Sequence, residues 1–183
     1  MTKKILFVVG STRKGSFNGL VAEEAAKFLA GKAEVTYLEY MDLPFMNQDL
    51  EFPAPDVVTK VRETVKAADG IWVFSPEYNY SYPGIVKNLF DWLSRPMVKG
   101  DYATAAATGK KITVSNIAGK STGAGSRAKL VELFGKIRMI VMDQPLTGLA
   151  IPPAAFGGAP LAFTEEQKAQ LKTQAEAFLK FIE

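Results

Sequence analysis

Ile5-Leu6-Phe7-Val8-Val9 runs directly into Gly10-Ser11-Thr12-Arg13-Lys14-Gly15-Ser16-Phe17-Asn18. A short run of Val, Ile, Leu and Phe without polar alternation reads as a strand buried on both faces. The loop after it holds glycine, hydroxyls, one Arg, one Lys and one Asn. The pattern Leu20-Val21, Ala25-Ala26 and Phe28-Leu29 then follows at helical spacing. Strand, polar loop and helix start is the geometry in which backbone N–H groups and the helix dipole converge on an anion. Ser11, Thr12 and Ser16 add neutral donors, and Arg13 can fork onto phosphate oxygens. By composition alone the loop is either a phosphate cradle or an ordinary polar turn with Ser or Asn as the helix N-cap. Both readings require a strand–helix unit.

That unit repeats. The first helix is expected to end near Ala30-Gly31, glycine being the usual C-terminal stop. Glu34–Leu38 reads as a second strand, and a long irregular stretch carries Pro53 and Pro55. A helix from about Asp56 to Ala68 follows, then a third strand, Gly70–Ser75, with the loop Pro76–Tyr82 behind it. A helix from Ile85 to Leu93 precedes a fourth strand, Lys111–Asn116. Ile117–Ser126 is expected as a small-residue loop, Ala128–Phe134 as helix, Met139–Met142 as a fifth strand, and Gly148–Pro160 as loop. Thr164-Glu165-Glu166-Gln167 has the form of a capping box opening a last helix that reaches Ile182. Five apolar strands alternating with helices predict an α/β fold, an open five-stranded parallel sheet with helices on both faces. The chain, residues 1–183, is expected to be one domain. In such sheets ligands lie beyond the carboxyl ends of the strands, where strand order reverses. The loops after strands one, three and four open on that edge.

Two absences restrict the chemistry. The chain has no Cys, so a thiol nucleophile, a disulfide and an iron–sulfur cluster are excluded. It has no His either, which removes the Ser-His-Asp hydrolases and the commonest transition-metal ligand. An enzyme built from what remains draws its chemistry from a cofactor. A net charge of +3, with Lys and Arg scattered among Asp and Glu, predicts solvated surface charge and no nucleic-acid face. No apolar run approaches the ~20 residues of a membrane span, and Met1–Lys4 shows no signal-peptide pattern. A cytoplasmic protein with no membrane partner is expected.

Pro76-Glu77-Tyr78-Asn79-Tyr80-Ser81-Tyr82 places three tyrosines and one Asn between stiffening prolines at 76 and 83. Such a loop can flank a flat ring with polar edges. The alternative is a surface loop whose tyrosines pack on the protein's own core or at a subunit contact. A phosphohydrolase is disfavoured because no Asp follows the first strand. A Rossmann NAD protein is disfavoured because Gly10 and Gly15 do not form Gly-x-Gly-x-x-Gly.

Gly10–Asn18 together with Ser75–Gly84 and Lys87-Asn88 and Asp91-Trp92 resembles the NADPH-dependent FMN reductases, a family that includes bacterial quinone and chromate reductases and azoreductases. The resemblance implies a flavodoxin-like fold and an FMN cofactor. It implies an NADPH or NADH donor and a small-molecule electron acceptor: a quinone, a flavin, an azo compound or a metal oxyanion such as chromate. It places Ser11, Arg13, Ser16, Phe17 and Asn18 around the FMN phosphate and ribityl chain. Pro76, Glu77, Tyr78 and Asn79 line the isoalloxazine edge, and Ser115 and Gly119 lie at the other polar edge. Lys87 and Asn88 are expected to fix their helix rather than to touch ligand. The family also implies a homodimer or homotetramer whose neighbouring subunit walls the flavin. Candidate contact surfaces are Phe90 and Trp92 and the stretch from Leu149 to Pro160. A flavodoxin-like electron carrier without its own NAD(P)H reaction is the alternative, against which the mildly basic balance counts.

Overall fold

Successive side chains of the central strands enter two separate cores, the consequence of the two-residue strand period. The computed structural model describes residues 2–183. The strands are β1 (Lys3–Val9), β2 (Ala33–Tyr37), β3 (Gly70–Phe74), β4 (Lys111–Ala118), β5 (Ile140–Val141) and β6 (Gly148–Ala150). The helices are α1 (Phe17–Leu29), α2 (Asp56–Ala67), α3 (Gly84–Ser94), α4 (Ala124–Lys136), α5 (Pro153–Phe156) and α6 (Glu165–Ile182). Leu6, Val8, Ile71, Val73, Ile112 and Val114 pack against α2, α3 and α4 through Val61, Leu89, Phe90, Leu130 and Phe134. Ile5, Phe7, Trp72 and Phe74 face the other way, onto Val21 and Leu29 of α1 and Leu171 and Phe178 of α6. The middle of β1 and the whole of β3 are therefore apolar on both faces, as doubly covered parallel strands must be.

All pairings are parallel, in the order β2-β1-β3-β4-β5. This is the flavodoxin-like order, with the reversal between β1 and β3. The five expected strand positions are present, but the fifth is split. β5 pairs only Lys111 and Ile112 of β4, whereas β6 pairs Asn116–Ala118. The stretch expected to be a loop from 148 to 160 thus contains a strand and a short helix. Three residues between Thr147 and Ile151 carry too little pattern to announce a strand; β4 as a partner makes one of them.

Two further expectations change. β4 runs to Ala118 and α4 starts at Ala124, so the loop between them is half the expected length. Phe90 and Trp92 are fully buried and offer no subunit contact. The Phe90 ring packs tilted against Phe134 at 4.7 Å, and the Trp92 indole N–H donates to Pro44 O at 2.8 Å. Their apolar bulk serves the α3 side of the core. Lys87 pairs with Asp91, and Asn88 grips Pro44 O and Met46 N, which matches the helix-fixing role expected of them.

The capping box forms: Thr164 Oγ1 accepts from Gln167 N, and the Gln167 side chain accepts from Thr164 N. Thr164→Ala is expected to cost about 1 kcal/mol of stability. A urea midpoint measured on that variant checks it, and no loss would mean that α6 is held by tertiary packing alone. No helix among the described residues is long and apolar enough to cross a membrane.

Candidate functional site

Three loops are stitched together at the carboxyl edge of β1, β3 and β4. Gly10 N donates to Phe74 O at 2.8 Å, joining the first loop to the end of β3. A Cβ on Gly10 would lie 2.7 Å from Val86 Cγ2 and 3.3 Å from Ser75 Cα, so only glycine lets the two loops approach. Asn116, fully buried on β4, donates to Ser75 O at 2.6 Å. Asn18 in the first turn of α1 bridges to β4 with both halves of its carboxamide, donating to Ile117 O at 3.2 Å and accepting from Ile117 N at 3.1 Å.

These contacts enclose a cavity of about 280 Å³. Ser11, Arg13, Ser16, Phe17 and Asn18 from the first loop line it, with Pro76, Glu77 and Tyr78 from the third and Gly119 from the fourth. Nine of the eleven residues expected at a site therefore meet in one place. At the first-loop end, Ser16 caps α1, its Oγ accepting from Gly19 N at 3.0 Å. The N–H groups of Phe17 and Asn18 precede any intrahelical acceptor and stand at the positive end of the helix dipole. The Arg13 guanidinium lies 5.0 Å from the Phe17 ring, and no carboxylate among the described residues pairs with it. The two readings of this loop are thus compatible: Ser16 is the N-cap, and the capped helix start still offers a cation and free donors to an anion.

The tyrosine loop is a two-residue hairpin. Tyr78 and Ser81 exchange backbone hydrogen bonds of 2.8 and 3.0 Å, and Asn79 and Tyr80 between them adopt φ of 51° and 60°. The three tyrosines have separate fates. Tyr78 lines the cavity, Tyr80 stands 77% exposed at the rim, and Tyr82 packs on the α3-side core. Asn79 occupies the hairpin tip, outside the lining.

Ser115, expected at the second polar edge of a flavin, does not line the cavity. It is fully buried inside β4, accepting from the Trp72 indole N–H at 2.9 Å and donating to Gln174 Oε1 at 2.9 Å. Because β4 continues three residues past it, the cavity is reached instead by Ile117, Ala118 and Gly119. Ile151 and Phe156 complete the apolar wall. Ile117 and Ala118 could have been read as a continuation of the strand. Ile151 and Phe156 gave no local signal, since a strand that forms only against β4 places them.

Glu77 faces the cavity, yet its carboxylate serves the neighbouring loop. It accepts from Ser121 Oγ at 2.6 Å and from Ser126 N at 2.9 Å, holding the first turn of α4. Those hydrogen bonds, Ser121's first, keep its pKa below the ordinary glutamate value despite some desolvation. A depressed folded-state pKa contributes stability that is present above the unfolded value of about 4.3 and is lost as pH falls through that value and the lower folded one. The stability gap between the wild type and Glu77→Gln is therefore expected to close as pH drops from 6 toward 3. Urea midpoints of both proteins across that range measure it, and a constant gap would refute the clamp.

A family model described as NADPH-dependent FMN reductase matches residues 3–150. A quinone reductase of Pseudomonas putida KT2440 is 31% identical over 171 residues, covering 93% of this chain and 86% of that protein. A quinone reductase of Escherichia coli K12 is 42% identical over 97 residues, 50% of this chain, and in that match the chain spans about half the length of its curated relative. Among solved structures, the flavoenzyme NAD(P)H:(acceptor) oxidoreductase FerB from Paracoccus denitrificans superimposes with a TM-score of 0.86 at 28% identity, covering 99% of this chain and 97% of that one. With a parallel sheet in the order 2-1-3-4-5 and a family match over most of its length, the chain belongs to the NADPH-dependent FMN reductase family.

Proposed function

We propose that this chain is a cytoplasmic FMN enzyme that oxidises NADPH or NADH and reduces a quinone, with free flavins, azo compounds and chromate as further acceptors. The observation that carries this reading is the mixed lining of one cavity. Arg13, which pairs with no carboxylate among the described residues, and the start of α1 share it with Pro76–Tyr78, Gly119 and the apolar Ile117, Ile151 and Phe156. The residues present fit FMN. A phosphate dianion finds the guanidinium, the Ser11 hydroxyl and the first-turn N–H groups of Phe17 and Asn18. A flat ring finds an apolar wall and the Tyr78 side chain.

When bound, FMN would supply the two-electron redox chemistry between the nicotinamide and the acceptor. The chain's own residues bind, orient and leave one face open. Glu77 accepts from Ser121 and Ser126, which favours its anionic form, so its carboxylate serves the α4 loop and is no proton donor to a bound acceptor. Tyr78, Tyr80 and Phe156 are all more than half exposed at the rim, which supports a second copy closing the cavity in a homodimer or homotetramer.

The test is the absorbance spectrum of the purified protein with and without added FMN, followed by NADPH oxidation with benzoquinone. A flavin spectrum and quinone-dependent oxidation are expected. A bound flavin that NADPH and NADH leave oxidised would assign an electron carrier instead, and a protein that takes up no FMN would end the proposal.

A further inference from the structure

The split in the fifth strand leaves a gap in the sheet, and one side chain fills it. Between the β5 and β6 pairings, Thr113–Ser115 on β4 face Met142–Thr147, six residues against three. The excess leaves the sheet, so β4 loses its ladder partner there. Gln174 of α6, fully buried, reaches into the vacated rung. Its Nε2 donates to Val114 O at 3.1 Å and to Thr113 Oγ1 at 2.8 Å. Its Oε1 accepts from Ser115 Oγ at 2.9 Å and from Thr147 N at 2.8 Å. A carboxamide carries the donor and acceptor of a peptide group, and here it stands in for one between β4 and Thr147.

Thr147 is the residue at which the strand resumes. Its N–H is held by Gln174 and its C=O accepts from Asn116 N at 3.0 Å. From there β6 runs alongside Asn116–Ala118, Ile151 N donates to Ala118 O at 2.8 Å, and the chain delivers Ile151 and Phe156 to the cavity wall. Asn116 and Ile117 in turn hold Ser75 and Asn18, one on each of the other two loops. None of the four residues that Gln174 hydrogen-bonds lines the cavity.

We infer that Gln174 is a positioning residue for the cofactor cavity: by replacing the missing rung between β4 and Thr147 it holds the Ile151–Phe156 wall at the distance a bound ring needs. This rests on reading the cavity as an FMN site. The network is fully satisfied among the described residues, so removing its centre leaves several buried polar groups unpaired at once and loosens the segment that leads into the wall.

The test compares Gln174→Leu with Phe178→Leu in the full chain. Phe178 lies one turn further along α6 and packs on Trp72 at 5.8 Å. Its replacement therefore loosens α6 while leaving in place the four hydrogen bonds that Gln174 itself makes. Two quantities are read: amide exchange of residues 147–151, and the FMN dissociation constant by flavin fluorescence. Gln174→Leu is expected to speed exchange in that segment and to weaken FMN about tenfold or more. Phe178→Leu is expected to lower Tm while leaving both readouts within twofold of the wild type. Unchanged FMN affinity in Gln174→Leu, or equal weakening in Phe178→Leu, overturns the inference. If Gln174→Leu does not fold, Gln174→Asn, one methylene shorter and unable to span the gap, takes its place with the same expected outcome. A wild type that binds no FMN removes the cofactor reading, and the exchange comparison alone then confirms or overturns the hold of Gln174 on the wall.

Discussion

Replacing Arg13 with alanine is expected to weaken FMN binding by about 1.5–3 kcal/mol, roughly 10- to 150-fold, the range for a hydrogen bond to a charged group. The prediction is sharp because Arg13 does nothing for the fold. Its guanidinium is exposed, lies 5.0 Å from the Phe17 ring, and pairs with no carboxylate among the described residues. The unliganded variant should therefore keep its stability to within about 0.5 kcal/mol, as surface substitutions usually do. Arg13→Lys retains the charge and loses the fork, so an intermediate affinity is expected. Fluorescence titration of the three proteins with FMN decides the matter. Equal affinities would move the phosphate away from the start of α1.

Gly123→Ala is expected to cost more, and to do so through the fold. Gly123 stands before α4 with φ of 75°, a region where a side chain is strained, and the added Cβ would lie 2.4 Å from Asn116 Cβ. Asn116 cannot give way cheaply: it is fully buried, its N–H lies in the pairing with Thr147 O, and its carboxamide holds Ser75 O. Either α4 moves, which breaks the Glu77 clamp on Ser126 N, or Asn116 moves, which releases the third loop. Together the strain and the overpacking amount to about 3 kcal/mol, which lowers Tm by roughly 6–12 °C in a domain of this size. Weakened FMN binding should accompany that loss, because each route of relief opens the cavity. A calorimetric scan checks the stability, and an unchanged Tm would show that the loop after β4 tolerates a different path.

The two glycine-bearing loops differ in how far they could be read. Gly10–Asn18 was legible because its signal is local: a buried strand, a run of small polar residues with one Arg, and a helix start lie within a few residues of one another. The same holds for Thr164–Gln167, whose capping box depends on residues three apart. The loop after β4 was misread because strand length there is set from outside. Asn116–Ala118 extend the strand only because Gly148–Ala150 pair with them, some thirty residues later. Ser115 lies inside β4 for that reason and does not line the cavity. Phe90 and Trp92 were misread for another reason: their apolar character is the same in a core as at an interface.

Sequence alone determined the alternation of strands and helices, the parallel α/β class, the edge on which a ligand must lie and most of the residues that line it. Local apolar period and loop chemistry decide those features. The tertiary structure decided the split fifth strand, the Gln174 rung beneath it, the apolar wall of Ile151 and Phe156, and the bonding of the Glu77 carboxylate to the α4 loop. Each of these is a hydrogen bond or a contact between residues far apart in the chain. Which partner a buried donor or carboxylate finds depends on what the finished fold sets beside it, and no neighbouring residue encodes that.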